Sequence, residues 1–429
     1  MGTFHRLFAV LRDRKGNAML IAAFAMPVLV GASGLATDTI QWTLWKRQLQ
    51  RQADSAALAG AYALAQGANV NNSATAEINR YNLVTLTGSP VIQNAPTTGA
   101  FAGDTSAVRV VLSTSQTLPF SSFFLSSPPV ITAEATARVV AGGEYCVVSL
   151  ETTDAVGVEI DGNASVDMGC GIITNSKASN AVSAGGSSQV KATPVAAVGG
   201  LQSSSNYVSP TTLLPYTIPQ ADPFADLPTP DVSTLCNSSN SNNKLTVGPN
   251  ITFPVSMPAG GVACYKGMDL KGTVSLAAGV YVIDGGSFSV GSQATVTGTN
   301  VTIILTSKTA ANSPSTIAKI DINGGANIQL TAPSTGTYAG VIFYQDERAT
   351  YSGNSDTNKI NGNANSILEG AIYVPSQAVE FSGTSGMNTK CLQIVSRKVK
   401  FTGNNNITNQ CDEDSGADSF TGTRVRLVG

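Results

Sequence analysis

Asp346-Glu347-Arg348 forms a cluster of ionisable residues directly after an apolar run ending in Tyr344. Paired with Glu369 or Glu380 from a neighbouring segment, its carboxylates would make an acid/base pair or a Ca²⁺-assisted lyase site. The competing reading, a solvated turn with its own ion pair, asks for no second segment and is preferred. Asp161, Asp167, Asp284 and Asp321 lie near Gly- and Asn-rich turns, but no Asp-x-Asp-x-Asp-Gly loop gathers them for Ca²⁺. Asp231-Val232-Ser233-Thr234-Leu235 begins like an Asp-x-Ser-x-Ser metal-adhesion motif, and Leu235 breaks it. The single histidine, His5, precedes the first apolar stretch, so no histidine base or His-type zinc site exists beyond that stretch. The six cysteines lack Cys-x-x-Cys spacing. No catalytic residue, cofactor or metal is therefore assigned, and Asp346, Glu347 and Arg348 stay a candidate surface site.

Those residues need a scaffold, and a seven-residue pattern supplies its signature: apolar, x, Gly or small, x, small, x, apolar. It recurs as Ile160-Asp161-Gly162-Asn163-Ala164-Ser165-Val166, at Val290–Val296, Ile322–Ile328, Phe381–Met387 and Phe401–Ile407, and begins again at Ile360. Short apolar runs such as 301–305, 340–344 and 370–374 lie between copies. Short strands punctuated by Gly-Asn turns point to a right-handed parallel β-helix, in which each coil buries its apolar face only against the next. An antiparallel sandwich with Gly-rich turns is the alternative.

The cysteines fit stacked coils. Cys391 lies ten residues after Phe381 and Cys411 ten after Phe401. Equivalent positions on successive coils are about 4.8 Å apart, within the Cα range a disulfide tolerates. Cys391–Cys411 is expected on that ground. Cys170 lies ten after Ile160 and Cys146 about one coil earlier, so Cys146–Cys170 is compatible, and Cys236–Cys264 remains by elimination.

The N-terminal region sets topology. Ala18 to Thr37 carries no charge, and Pro27 falls within it. As a helix it spans about 30 Å, a bilayer core. Arg6, Arg12, Arg14 and Lys15 precede it against Asp13, which places the N-terminus in the cytoplasm. A cleaved signal peptide is the rival, with Ala32-Ser33-Gly34 as a weak cleavage site. A stripe of Trp42, Trp45, Leu49, Ala53, Ala56, Ala57, Gly60, Ala61 and Leu64 continues the helix. It suits packing on its own domain or against neighbouring helices in an assembly.

Charged residues make up 12% of the chain, about half the usual share, which fits an extracytoplasmic product. Net charge is −2 and no basic run follows residue 51, so nucleic acid is not a partner. The expected fold is mainly β. A basic segment (1–17), a transmembrane and continuing helix (18–66) and a small α+β module (67–143) precede a β-helix over 144–415. A Ser/Asn/Pro-rich excursion at 204–252 leaves that β-helix, and a tail (416–429) follows it. Within the module a helix is expected from Ala74 to Leu83, with strands near 107–114 and 130–139. Phe120, Phe123, Phe124 and Leu125 are expected to supply its apolar mass.

Arg14-Lys15-Gly16-Asn17, the apolar span with Pro27, Gly31 and Gly34-Leu35-Ala36, then Asp38, Trp42, Gln48-Leu49-Gln50 and Ala53–Ala61 resemble the TadE/TadG-like family of Flp (Tad) pilus assembly proteins. The resemblance covers about residues 12 to 66. Gly340–Asp346 and Phe381-Ser382-Gly383 also resemble solenoid tails of such proteins. It implies a single-pass bacterial inner-membrane protein whose bulk is periplasmic or surface-exposed and whose partners are pilus or secretion-system proteins, with carbohydrate as a further ligand class. Pilin-like members cut at the Gly carry Glu five residues later. This chain has Ile21 there, so the resemblance implies the version that keeps its anchor. A membrane-tethered polysaccharide-modifying β-helix enzyme and a pilus-independent adhesin are the alternatives.

Overall fold

The computed structural model describes residues 15–80, 84–236, 243–363, 365–383, 387–404, 406–410 and 420–429. The chain divides into two compact units, residues up to 140 together with 424–429, and residues 141–423.

The first unit begins with one helix, Lys15–Ala65, of 51 residues. Alanine and leucine dominate it, and Pro27 lies inside without ending it. It is long and apolar enough to cross a membrane. Ile21, Phe24, Met26, Val28, Leu29 and Val30 are all more than half exposed, as a lipid-facing surface would be in water. From Leu49 onward one face is buried. Leu49, Ala53, Ala56, Ala57 and Ala61 pack with Ala74 and Ile78 of a second helix, Val70–Arg80, and with strand residues Val108, Val110, Ala133 and Ala135. A Cβ on Gly60 would come within 2.8 Å of Val108 Cγ1, so the missing side chain lets helix and sheet touch. The small-residue stripe is thus used within its own unit.

Three antiparallel strands complete that unit: Val91–Asn94, Ala107–Thr114 and the first part of Ile131–Ser149. Residues 424–429 add an edge, where Val428 N donates to Thr136 O at 2.9 Å. The segment expected as a tail therefore carries a strand, Phe420–Leu427. The helix expected to reach Leu83 is seen over Val70–Arg80, and 81–83 lie outside the described residues. The phenylalanines correct the sequence reading. Phe123 and Phe124 are 83% and 76% exposed, and the unit's core is built of Ala and Val instead.

In the second unit every strand pair among the described residues is parallel, which excludes the antiparallel sandwich. The strands form stacked ladders, and through most of the unit the chain returns to a given ladder every three strands. A first ladder runs Lys244–Val247, Gly267–Leu270, Ser287–Val290, 319–322, Thr357–Gly362, 378–383, 398–403, Val158–Ile160 and Val182–Ala184. A second begins Thr252–Val255, Thr273–Leu276, Thr295–Gly298 and 327–330. A separate four-stranded sheet holds Met387–Lys390, Asn406–Gln410, Ser165–Asp167 and Gln189–Lys191. A third ladder runs Val262–Tyr265, Gly279–Asp284, Val301–Thr306, Val341–Gln345, 370–374, 392–396, 147–149, Gly171–Thr174, Val195–Ala197 and Leu213–Leu214.

The seven-residue pattern is the corner of this arrangement. Its first residues, such as Val290, Ile322, Phe381, Phe401 and Ile160, stand in the first ladder and point inward. Its last residues, such as Val296, Ile328 and Val166, stand in the second ladder or in the four-stranded sheet. The Gly between them makes the turn: Gly162 and Gly403 both have positive φ, at 75° and 79°. Stacked identical positions then pile like on like, as Phe381 and Phe401 do at 5.4 Å between ring centres.

The ladders do not follow chain order. Strand 398–403 has 378–383 on one side and Val158–Ile160 on the other. Late strands of the unit therefore pair with its first ones. Asp161 N donates to Phe401 O, and Asn163 Nδ2 reaches Asn404 Oδ1 at 2.9 Å. Residues 145–214 build one end of the stack. The chain then crosses to the far end at residue 244 and builds back to the join.

Candidate functional site

The crossing segment, 215–236, is a strap laid along the outer face of the third ladder. Thr217 N donates to Ala197 O, and Asn175 and Gln220 exchange two hydrogen bonds of 2.8 Å. Tyr373 donates to Asp222 Oδ2 at 2.8 Å, and the Tyr344 hydroxyl lies 3.2 Å from Pro228 O. Cys236 is bridged to Cys264, with Cα atoms 5.9 Å apart. These contacts follow the ladder rung by rung from Val195–Ala197 to Val262–Tyr265, roughly 38 Å at about 4.8 Å per rung. Beneath the strap lie Val148, Ile173, Val282, Ile304, Tyr344 and Tyr373. The strap's own Phe224, Leu227, Val232 and Leu235 cover them. Burial on both faces is why these strands read as unbroken apolar runs rather than alternating ones.

Asp346-Glu347-Arg348 sits where the strap crosses Val341–Gln345. Asp346 is fully buried, and Arg348 grips it with Nε at 2.9 Å from Oδ1 and a terminal nitrogen at 2.6 Å from Oδ2. Thr306 Oγ1 donates to the same Oδ2 at 2.6 Å. The same Arg348 terminal nitrogen donates to Pro230 O of the strap at 2.8 Å. Glu347 accepts from Thr229 of the strap and from Tyr344 at 2.9 Å. Asp346 keeps the Arg348 guanidinium charged above its ordinary range by accepting its hydrogen bonds. Burial, with Glu347 adding to it, pushes the Tyr344 hydroxyl far up, so it remains a donor. The cluster thus has the geometry of an anchor, with each charged group engaged by a neighbour or by the strap.

The carboxylates proposed to complete an acid/base pair are elsewhere. Glu369 lines a cleft of about 350 Å³ with Asn300, Thr331 and Gly370. Glu380 stands in the first ladder between Lys359 and Lys400, whose next neighbour is Glu159. That alternation is a cross-strand charge row. The turn aspartates are equally dispersed. Asp167 pairs with Lys191 at 2.8 Å, Asp161 caps Gly162 N, and Asp321 registers with Lys359. Asp284 is buried and accepts from Lys308 N, with Oδ2 unpartnered. No group of three or more His, Cys, Asp or Glu positioned for a metal occurs among the described residues. Asp231 serves as the N-cap of the short helix Val232–Leu235, accepting from Ser233 N at 2.9 Å. The Ser233 hydroxyl, followed by this backbone donor, holds its carboxyl below the usual range.

Cys146 and Cys170 are bridged with Cα atoms 5.8 Å apart. Cys391 is buried between the strands Met387–Lys390 and Leu392–Gly403, and its expected partner Cys411 lies outside the described residues, as does His5. Ala18, Pro27 and Thr37 all fall within the long helix.

Sequence reasoning missed the join. Glu151 is 1% exposed and lies 3.1 Å from Arg397 and 3.7 Å from Lys398. Burial pushes its carboxyl up, but donors from Thr153 and Arg397 outweigh that and hold it below the ordinary range. Arg397 and Lys398 also lie over the Tyr351 ring, at 4.9 and 5.3 Å. The unbroken apolar runs were the available signal for the strap, because a strand apolar on both faces needs a cover on each.

Residues 16–63 match the model of a family described as putative Flp pilus-assembly TadE/G-like. No curated protein and no solved structure matches the chain.

Proposed function

We propose that the chain is a membrane-anchored, non-enzymatic component of Flp/Tad-type pilus assembly or of a related cell-surface structure. The observation that carries this reading is the match over residues 16–63, which falls on a helix long and apolar enough to cross a membrane. The basic residues before Ala18 favour a cytoplasmic N-terminus in the bacterial inner membrane, with the bulk periplasmic or surface-exposed. Residues 141–423 are read as a right-handed parallel β-helix, since parallel crossovers are right-handed in nearly all known cases. Its flank would recognise pilus or secretion-system proteins, with carbohydrate as the second ligand class.

A non-enzymatic role is supported by how Asp346, Glu347 and Arg348 are engaged. A general acid or base must reach a substrate proton within hydrogen-bond range. Asp346 is sealed under Thr306 and Arg348, and Glu347 is turned to Thr229 and Tyr344. Cross-linking in whole cells, followed by mass spectrometry of proteins joined to this chain, tests the reading. Links to membrane proteins of a pilus or secretion machine are expected. Links confined to cell-wall glycan or to further copies of the chain would overturn it.

A further inference from the structure

The loop from Ser115 to Val130 leaves the sheet of the first unit and carries the two most exposed aromatic side chains among its described residues. Phe123 is 83% exposed, Phe124 76%, Val130 67% and Leu125 45%. Isolated exposed apolar residues need no explanation, but a contiguous aromatic patch marks a contact surface. The patch is not a loose tip. Ser122 N donates to Leu118 O, Phe124 N to Ser121 O and Leu125 N to Ser121 O, which closes a helical turn.

That turn is fastened to the long helix at two points. Ser121 N donates to the buried Asp38 Oδ2 at 2.5 Å. One turn earlier the Phe120 ring lies flat on Gly34, so closely that a Cβ there would overlap it. Gly34 stands inside the uncharged stretch 18–37, three residues and about 4.5 Å from its end. The helix surface leading up to this point is itself apolar and exposed, with Leu29 at 66% and Val30 at 56%. The loop's sequence agrees, since no charged residue occurs between Arg109 and Glu134.

We propose that the Phe120–Leu125 turn is a second membrane contact, which inserts Phe123, Phe124 and Leu125 into the leaflet at the C-terminal end of the helical span. The occupant is lipid, because the patch continues the exposed apolar surface of the helix at the depth of Gly34. Aromatic side chains favour this interfacial zone, and the flanking serines suit the headgroup region. The turn fixes the rotation and depth of the helix, which an unadorned apolar span leaves free. Gly34 and Asp38 are the positioning residues of this contact.

The proposal rests on the membrane-span reading, and one experiment separates the two. The full chain is reconstituted into phosphatidylethanolamine–phosphatidylglycerol vesicles containing a phospholipid with a photoreactive diazirine in its acyl chain. After illumination, adducts are mapped by mass spectrometry. Adducts are expected on residues 21–35 and also on 120–125. Adducts on 21–35 with none on 120–125 would overturn the turn's insertion and leave the span standing. Adducts on neither region would remove the span, and the proposal with it. Gly34→Ala, which dislodges Phe120, is expected to cause loss of the adducts on 123–125 while those on 21–30 persist. Unchanged labelling in that variant would show that the contact with Gly34 does not position the turn.

Discussion

Arg397 Nε donates to Glu151 Oε2 at 3.1 Å across 246 residues of sequence. The pair marks where the strand containing 392–396 meets 147–149, the place at which the late part of the chain closes onto the early part. Removing one partner of a buried pair typically costs about 3–5 kcal/mol when the other charge is left uncompensated, but here Lys398 at 3.7 Å and the Thr153 donors still engage Glu151. Arg397→Ala should therefore lower the unfolding free energy by about 2 kcal/mol, the scale of one hydrogen bond to a charged group. Glu151→Gln should cost less, and the double variant should show coupling of about 1 kcal/mol or more. Chemical denaturation of the detergent-solubilised full chain measures all three. Simple additivity would mean that the join does not depend on this pair.

Two carboxylates predict an acid sensitivity. Glu151 is held below its ordinary range, and Asp356 is lowered to about 2. For Asp356 burial opposes ionisation, but the Lys319 ammonium at 2.8 Å and two Ser352 donors outweigh it. A carboxylate whose folded-state pKa is depressed stabilises the fold above its unfolded pKa and loses that contribution as pH falls through the folded value. The melting-temperature advantage of the parent over Asp356→Asn should be full at pH 6 and shrink between about pH 5 and pH 2. An advantage that stays constant down to pH 2 would contradict the assignment.

Arg348→Ala should release the strap. The variant loses the bond to Pro230 O and leaves Asp346 buried without its cation. Limited thermolysin digestion should then cut near Phe224 and Leu227 at least tenfold faster than in the parent, as expected if release costs about 1.4 kcal/mol or more in local opening. Thr229→Ala, which removes one bond of several, should give a smaller change. Equal cutting in parent and Arg348→Ala would show that the cluster does not hold the strap.

The Cys236–Cys264 bridge closes a loop of 28 residues at the strap's far end. Loop-closure entropy assigns such a bridge roughly 3.5 kcal/mol. Replacing both cysteines by alanine should lower stability by an amount of that order and open the strap from residue 236 backward. Hydrogen exchange should rise first over 227–236 and least near Thr217, whose amide is bonded to Ala197.

The turn at Gly162 was legible because its two apolar ends, Ile160 and Val166, enter different ladders and its glycine takes a positive φ, as Gly403 does. The order in which the strands stack was not legible. Ile160 and Phe401 carry the same kind of corner, and nothing local records that these two stack directly. Pairing in parallel ladders depends on apolar surface that many register choices would bury equally well. At the Asp346 cluster the pair with Arg348 is local in sequence, whereas its cover arrives from Thr229 and Pro230, over 100 residues earlier. The phenylalanines of the loop misled for a related reason. Hydrophobicity says that Phe123 avoids water, but not whether it finds a protein core or a bilayer.

If the chain is an anchored assembly component whose charged cluster is structural, pilus formation requires the chain but not the Glu347 carboxylate. Surface pili are counted by electron microscopy in the bacterium that carries the gene. The strains compared are a deletion strain, the same strain restored with the parent, and that strain restored with Glu347→Gln. Loss of pili on deletion, with full recovery by both forms, is the predicted result. Pili that persist in the deletion strain, or a well-folded Glu347→Gln protein that fails to restore them, would contradict the account.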